Sequence, residues 1–304
     1  MKALVIGGAG FIGSHLVNYL SKKYEVYVLD NLSVGKINSL NEKAKFIIGD
    51  VRDRDSFVGL PPFEYIFFAP GIVNSADLVR YPYDSFDVTV RGLDNVLKYT
   101  IGKIVYFSTS EIYSNGDTAE SALISHKLNK RSGYDYGKFS GEVMLYTNFL
   151  QNHREYMTIR PFNVYGDYEY REGVIIKFLK NVLNKKPITI YGDGTQNRTF
   201  TFIDDFISGV DVLLNNFQAG ETYNICGDEN ITINELYQKV IKFGYVPCEY
   251  VEDPEEGIMN RKGNNSKLKS LGWKPKVSID EGLAIIYDWM KKENFEVLRY
   301  GKVF

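Results

Sequence analysis

A chain of 304 residues, 44% hydrophobic and 24% charged, is long enough to bury one large core or two closely joined ones. Its formal net charge of -2 argues against an electrostatic binder of nucleic acid or acidic membrane. No segment is long and apolar enough to span a bilayer, and a strand pattern that starts at Lys2 leaves no room for a signal peptide. The two cysteines, Cys226 and Cys248, do not make a disulfide framework, so a reducing cytoplasm is expected. The three histidines, His15, His126 and His153, lack metal-ligand spacing, and no metal site is expected.

The first half alternates short, nearly continuous apolar runs with longer amphipathic segments. Strands are predicted over Lys2–Ile6, Glu25–Leu29, Lys45–Ile48, Glu64–Ala69, Lys103–Ser108 and Tyr156–Arg160, with helices over Phe11–Lys22, Tyr83–Tyr99 and Tyr134–Phe149. This βαβ rhythm predicts an α/β chain with a Rossmann-type, doubly wound parallel sheet. After about Gly166 the rhythm changes. Helices are predicted over Val174–Leu183, Phe202–Leu214 and Ile233–Lys242, the last with Thr232 and Glu235 placed for a capping box, and strands over Ile188–Tyr191 and Thr222–Cys226. The expected division is a dinucleotide-binding domain over 1–165 and a smaller α/β lobe over 166–304, with the chain free to cross between them.

The turn after the first strand reads Gly7-Gly8-Ala9-Gly10-Phe11-Ile12-Gly13. Gly7 permits a tight turn, Gly10 lets the backbone approach a pyrophosphate, and Gly13 allows close helix–strand packing. The helix opening at Phe11 and Ile12 offers N–H groups to the anion. Asp30 ends the second strand, followed by Asn31-Leu32-Ser33 with no adjacent arginine. A carboxylate there accepts from both adenosine ribose hydroxyls and repels a 2′-phosphate, so the expected cofactor is NAD rather than NADP.

Two further features point to chemistry. Ser108-Thr109-Ser110-Glu111 closes the fifth strand at the carboxyl edge of the sheet, where such folds bind ligands. Tyr134 and Lys138 are spaced to share one face of a helix. An unperturbed phenol has a pKa of about 10, too high for a base at neutral pH, but a nearby ammonium and the cationic nicotinamide favour the phenolate. Tyr134 can then take a proton from a carbinol hydroxyl while the carbon gives hydride to NAD⁺. Lys138 can hold the nicotinamide ribose, and Thr109 can bond the reacting oxygen.

Taken in order, these residues resemble the extended short-chain dehydrogenase/reductase family, in particular its nucleotide-sugar epimerases, dehydratases and decarboxylases. The likeness covers almost the whole chain. It runs through the glycine turn, Asp30–Ser33, Gly49-Asp50-Val51, Tyr134-Asp135-Tyr136-Gly137-Lys138 and Arg160-Pro161-Phe162-Asn163-Val164-Tyr165-Gly166. It continues through Gly192-Asp193-Gly194-Thr195-Gln196-Asn197-Arg198 and Leu271-Gly272-Trp273-Lys274-Pro275.

The resemblance implies that Asp50 and Val51 lie beside the adenine, Ala69 near the middle of the cofactor, and Asn163 against a nucleotide-diphosphate sugar. It implies that Arg198 and Arg261 grip the diphosphate, as planar multidentate cations can. The Thr109-Ser110-Glu111 cluster is like that of dehydratases and decarboxylases; in the dehydratases the glutamate removes the C5 proton from a 4-ketone, and the alternative for Glu111 is to position water or a sugar hydroxyl. Two positions depart from the pattern. Thr89 stands where asparagine is usual, three residues before Gly92, and Ala69-Pro70 replaces the usual Ala-Ala; both changes fall near the nicotinamide half.

The leading expectation is oxidation at C4 of a nucleotide-activated sugar, ending in the ketone or in elimination, in bacterial surface-polysaccharide synthesis. The rival is C4 epimerisation, and a third possibility is an idle NAD-binding sensor or scaffold. The family also implies a homo-oligomer that pairs helices Tyr83–Tyr99 and Tyr134–Phe149 of each subunit.

Overall fold

The computed structural model describes residues 1–73, 75–113, 132–169, 173–252 and 259–293; His126 and the carboxyl end of the expected second lobe lie outside them. In chain order the first half comprises β1 (Lys2–Ile6), α1 (Phe11–Leu20), β2 (Glu25–Asp30), β3 (Lys45–Ile48), β4 (Tyr65–Phe68) and α2 (Ser75–Arg80). It continues with α3 (Pro82–Tyr99), β5 (Lys103–Phe107), α4 (Ser132–Asn152) and β6 (Tyr156–Pro161). The second half adds β7 (Val164–Tyr165), α5 (Val174–Leu183), β8 (Ile188–Tyr191), β9 (Asn197–Thr199), β10 (Thr201–Phe202), α6 (Ile203–Asn215) and β11 (Thr222–Ile225). After it come β12 (Asn230–Thr232), α7 (Ile233–Val240), β13 (Cys248–Val251), β14 (Asn260–Arg261), α8 (Ser266–Lys269) and α9 (Ile279–Lys292).

Seven strands form one parallel sheet in the order β11-β6-β5-β4-β1-β2-β3. The winding reverses between β1 and β4, which creates a switch point where ligands bind in open α/β sheets. Alternation along each strand explains the layers, because successive side chains face opposite sides. Ala3, Val5, Phe67, Val105, Phe107, Met157 and Ile159 enter one core with α1, α5 and α6. Leu4, Ile6, Ile66, Phe68, Ile104, Tyr106 and Tyr156 enter the other with Leu93 and Val96 of α3 and Leu145 of α4.

The seventh strand, β11, comes from beyond residue 165, so the chain crosses back into the first sheet after starting the second lobe. Smaller sheets β10-β7, β12-β9-β14 and β13-β8 carry the rest. The Thr232/Glu235 capping box forms as expected at α7, and a second one, Ser278/Glu281, opens α9. Trp273 is buried, with its indole N–H on the Ser208 hydroxyl at 3.0 Å. Asp205 of α6 accepts the backbone N–H groups of Lys276 and Val277, both at 2.9 Å. These bonds tie the segment before α9 to α6. No helix among the described residues is long and apolar enough to cross a membrane, and none of their His, Cys, Asp or Glu side chains group as a metal site.

Candidate active site

The strand ends converge by register. Ile6 lies level with Leu29 and Phe68, Phe68 with Tyr106, and Phe107 with Ile159, so the loops that follow emerge along one edge. Gly7 has φ +76°, a backbone conformation that disfavours a side chain. A Cβ on Gly7 would come within 2.9 Å of the Pro70 nitrogen. The loop after β4, with Ala69 and Pro70, therefore packs directly on the glycine turn. At Gly13 a Cβ would lie 2.2 Å from the Gly7 carbonyl oxygen, which leaves only glycine fitting between helix and turn.

Helix α1 begins at Gly10 with no capping side chain and no acid in its first turn. The first N–H groups of a helix have no partner within it, so this end suits an anion. Beside it the Asp30 carboxylate accepts from the N–H of Ala9 at 2.9 Å and of Leu32 at 2.8 Å, one on each oxygen. Each oxygen keeps a second acceptor site, enough for a pair of ribose hydroxyls. Burial pushes this carboxyl up, against the two N–H groups that lower it. Asn31 accepts the N–H of exposed Ser33 and donates to Asp50 at 3.2 Å. Asp50 is held to about 2 chiefly by the Arg52 guanidinium, whose Nη2 lies 2.8 Å away. Arg52 also reaches Asp84 at the start of α3. Val51 packs where a Cβ on Gly92 would intrude at 2.7 Å. The cradle at Gly10, Phe11 and Ile12, with its carboxylates at Asp30 and Asp50, fits an adenine dinucleotide.

The candidate reacting groups stand on α4 and just after β5. The Tyr134 ring and the Lys138 stem both approach the backbone at Gly71, 3.6 and 3.7 Å from where its Cβ would be. Lys138 is buried, with Nζ donating to the carbonyls of Phe107 at 2.8 Å and Pro70 at 3.0 Å. Burial lowers its pKa to about 7. Two carbonyls match the two N–H bonds that even a neutral amine can donate. Thr109 and Ser110 are buried, and Thr109 caps the short helical turn 110–112 by accepting the Glu111 N–H at 3.1 Å. Thr89 is fully buried, its hydroxyl 3.5 Å from the Ser85 carbonyl within α3. The structure therefore places it inside the helix packing instead of at the cofactor surface, because a threonine hydroxyl in a helix bonds back to the preceding turn.

The second lobe contributes the remaining candidates. Asn163, at φ +35°, donates its amide to the Thr199 carbonyl at 2.9 Å. Arg198 and Arg261 are register partners on β9 and β14. Arg198 has one terminal nitrogen on the Asn197 carbonyl. Arg261 makes a two-pronged ion pair with Glu111, both N–O distances being 2.5 Å. The residue expected at the diphosphate thus meets the Glu111 carboxylate through its forked end.

A buried relay was not anticipated. Arg160 of β6 pairs with Glu142 of α4 through Nε at 3.0 Å and Nη2 at 2.6 Å, and its Nη1 donates to the Tyr113 hydroxyl at 2.7 Å. Tyr113 in turn donates to Asn224 of β11 at 2.7 Å. The only signal in the sequence is that Glu142 lies one helical turn beyond Lys138, and its partner could not be read from spacing.

A glycine-turn dinucleotide cradle facing a Tyr/Lys pair at the carboxyl edge of a doubly wound sheet defines an NAD-dependent enzyme of the short-chain dehydrogenase type. The chain belongs to the NAD dependent epimerase/dehydratase family, whose model matches residues 3–226. A Methanocaldococcus jannaschii protein, provisionally assigned as a UDP-glucose 4-epimerase, is 34% identical over 96% of this chain and 99% of its own. The UDP-glucose 4-epimerase of Thermotoga maritima, solved with UDP-glucose, superposes with TM-score 0.86 at 29% identity, covering 97% of this chain and 100% of that one. The dTDP-glucose 4,6-dehydratase of Streptomyces venezuelae, solved with NAD, gives 0.87 at 27% identity over 97% and 98%. These likenesses bear out the expected fold, family and cofactor, and they include both epimerases and dehydratases.

Proposed function

We propose that this enzyme oxidises C4 of a nucleotide-diphosphate sugar to the 4-ketone, with release of the ketone or elimination to follow. The observation that carries the reading is the approach of Tyr134 and Lys138 to Gly71, in the loop that packs on the Gly7 turn. NAD⁺ held at that turn supplies the hydride acceptor. Tyr134 takes the C4 hydroxyl proton and Thr109 orients that oxygen, while Lys138 in its ammonium form has a third N–H for the nicotinamide ribose and favours the phenolate. A ketone acidifies its α-carbon, so Glu111 can take the C5 proton, with Ser110 beside it.

The test is incubation with NAD⁺ and GDP-, UDP-, CDP- and dTDP-sugars, a GDP-heptose among them, with a keto-acid oxidant and mass analysis. Loss of two hydrogens identifies a dehydrogenase, and loss of water or carbon dioxide a dehydratase or decarboxylase. No change with any donor refutes the reading for this panel. C4 epimerisation is the second reading, favoured by the epimerases among the relatives; it gives unchanged mass and an altered NMR spectrum.

The same reading extends to a homodimer through α3 and α4. Val143, Tyr146 and Leu150 are exposed along α4 at the spacing of one helix face, and Tyr83 and Tyr99 are exposed on α3. Both cysteines are free, in keeping with a cytoplasmic enzyme serving surface-polysaccharide synthesis.

A further inference from the structure

Asp30 of β2 stands level with Ile48 of β3, and the Gly49 N–H donates to the Asp30 carbonyl at 3.1 Å. Asp50, Val51 and Arg52 therefore follow directly beside the carboxylate suited to the ribose. A base whose ribose sits at Asp30 and whose pyrophosphate sits on the glycine turn lies against this loop.

The Asp50 carboxylate has no oxygen to spare for that base. Its Oδ1 accepts the Arg52 backbone N–H at 2.9 Å and the Arg52 Nε at 3.0 Å. Its Oδ2 accepts the Arg52 Nη2 at 2.8 Å and the Asn31 amide at 3.2 Å. An ionised carboxylate offers about four acceptor positions, and donors of this chain fill them all. The amino group of an adenine thus finds no vacant position on Asp50.

Arg52 is engaged on its other side as well. Its Nη1 donates to Asp84 in the first turn of α3 at 3.0 Å. Further along one face of that helix, buried Asn95 donates to the Val51 carbonyl at 3.0 Å. Between them, Val51 fills the space that a Cβ on Gly92 would enter. The Arg52 side chain is 29% exposed, so its ion pairs add little to overall stability. What a planar fork does fix is the position and the plane of the carboxylate it holds.

We propose that Arg52 is a positioning residue for NAD: it occupies the Asp50 carboxylate and clasps the loop to α3, which sets the surface against which the adenine rests. Asp50 acts through Arg52 and does not read the adenine amino group. The proposal rests on the reading of this loop as the adenine side of the cofactor site.

Calorimetric titration of the nucleotide-free full chain uses NAD⁺, ADP-ribose and nicotinamide hypoxanthine dinucleotide, in which an oxygen replaces the adenine amino group. Arg52→Met and Asp50→Asn should each weaken NAD⁺ and ADP-ribose by one common factor, at least about tenfold, and the double variant should bind no worse than the weaker single one. Arg52→Lys, which keeps the charge without the fork, should recover only part of the loss. The melting temperature of the ligand-free variants should move by less than about 4 °C, which separates positioning from unfolding. The ratio of affinities for NAD⁺ and the hypoxanthine dinucleotide should be the same in wild type and Asp50→Asn. A preference for NAD⁺ that Asp50→Asn abolishes would overturn the proposal, as would an Arg52→Met affinity within about threefold of wild type. Photolabelling with 2-azido-NAD⁺ checks the placement. Label on the peptide carrying Asp50–Arg52, with unchanged affinity in Arg52→Met, refutes the clasp alone; label elsewhere refutes the placement and the clasp with it.

Discussion

The Lys138 amine donates to the carbonyl of Phe107 at 2.8 Å, which links α4 to the last residue of β5, two positions before Thr109. With the Pro70 carbonyl as a second acceptor, this one side chain joins three elements of the sheet edge. The bonds hold the amine beside Tyr134 but do not offset the desolvation of a charge, which is why its pKa falls to about 7.

That shift has a sign in stability. In the unfolded chain the lysine titrates near 10.5, whereas in the fold it titrates near 7. Between those values the unfolded chain binds the extra proton, so raising the pH stabilises the fold; below about 7 both states hold it and the dependence vanishes. Between pH 7 and 9 the increment is on the order of 2 kcal/mol. Urea denaturation at both pH values should find it in wild type and not in Lys138→Met. An equal increment in both proteins would mean that Lys138 is charged in the fold.

On the proposed mechanism, Tyr134→Phe removes the proton acceptor while keeping the ring. Turnover should fall by about 10²- to 10⁴-fold, the usual range for a general base, with NAD affinity nearly unchanged. Stopped-flow absorbance of the reduced cofactor and equilibrium NAD titration separate the two. A variant with near-normal turnover would move the proton transfer to another group.

The Arg160–Glu142 pair is enclosed, with 12% exposure on each side. Removing one partner leaves the other charged and desolvated, so Arg160→Met should destabilise the protein by roughly 3–5 kcal/mol. Because Glu142 lies on the helix that carries Tyr134, the same variant should also lower kcat. Thermal denaturation and turnover, measured together, check both effects.

Gly13→Ala tests the cofactor turn. Its Cβ would lie 2.2 Å from the Gly7 oxygen and 2.7 Å from the Gly8 Cα. Backbone must move to admit it, at a cost of about 1–3 kcal/mol. NAD affinity should fall with stability, whereas a variant that binds NAD normally would separate the turn from the cofactor.

Much of the cofactor half was legible in the chain itself. The strand at Lys2–Ile6, the glycine turn, the start of α1 and Asp30 are local in sequence, and each follows from backbone sterics and a fixed offset. The Tyr134/Lys138 spacing is equally local, because four residues make about one helical turn. What only the tertiary structure decided was pairing across distance. The meeting of Glu111 with Arg261, of Arg160 with Glu142, and of Lys138 with Pro70 and Phe107 depends on which strands lie side by side. The return of Thr222–Ile225 to the central sheet is of the same kind. A charged side chain carries no mark of its partner in its own neighbourhood; the partner is chosen when burial makes an unpaired charge too costly to leave.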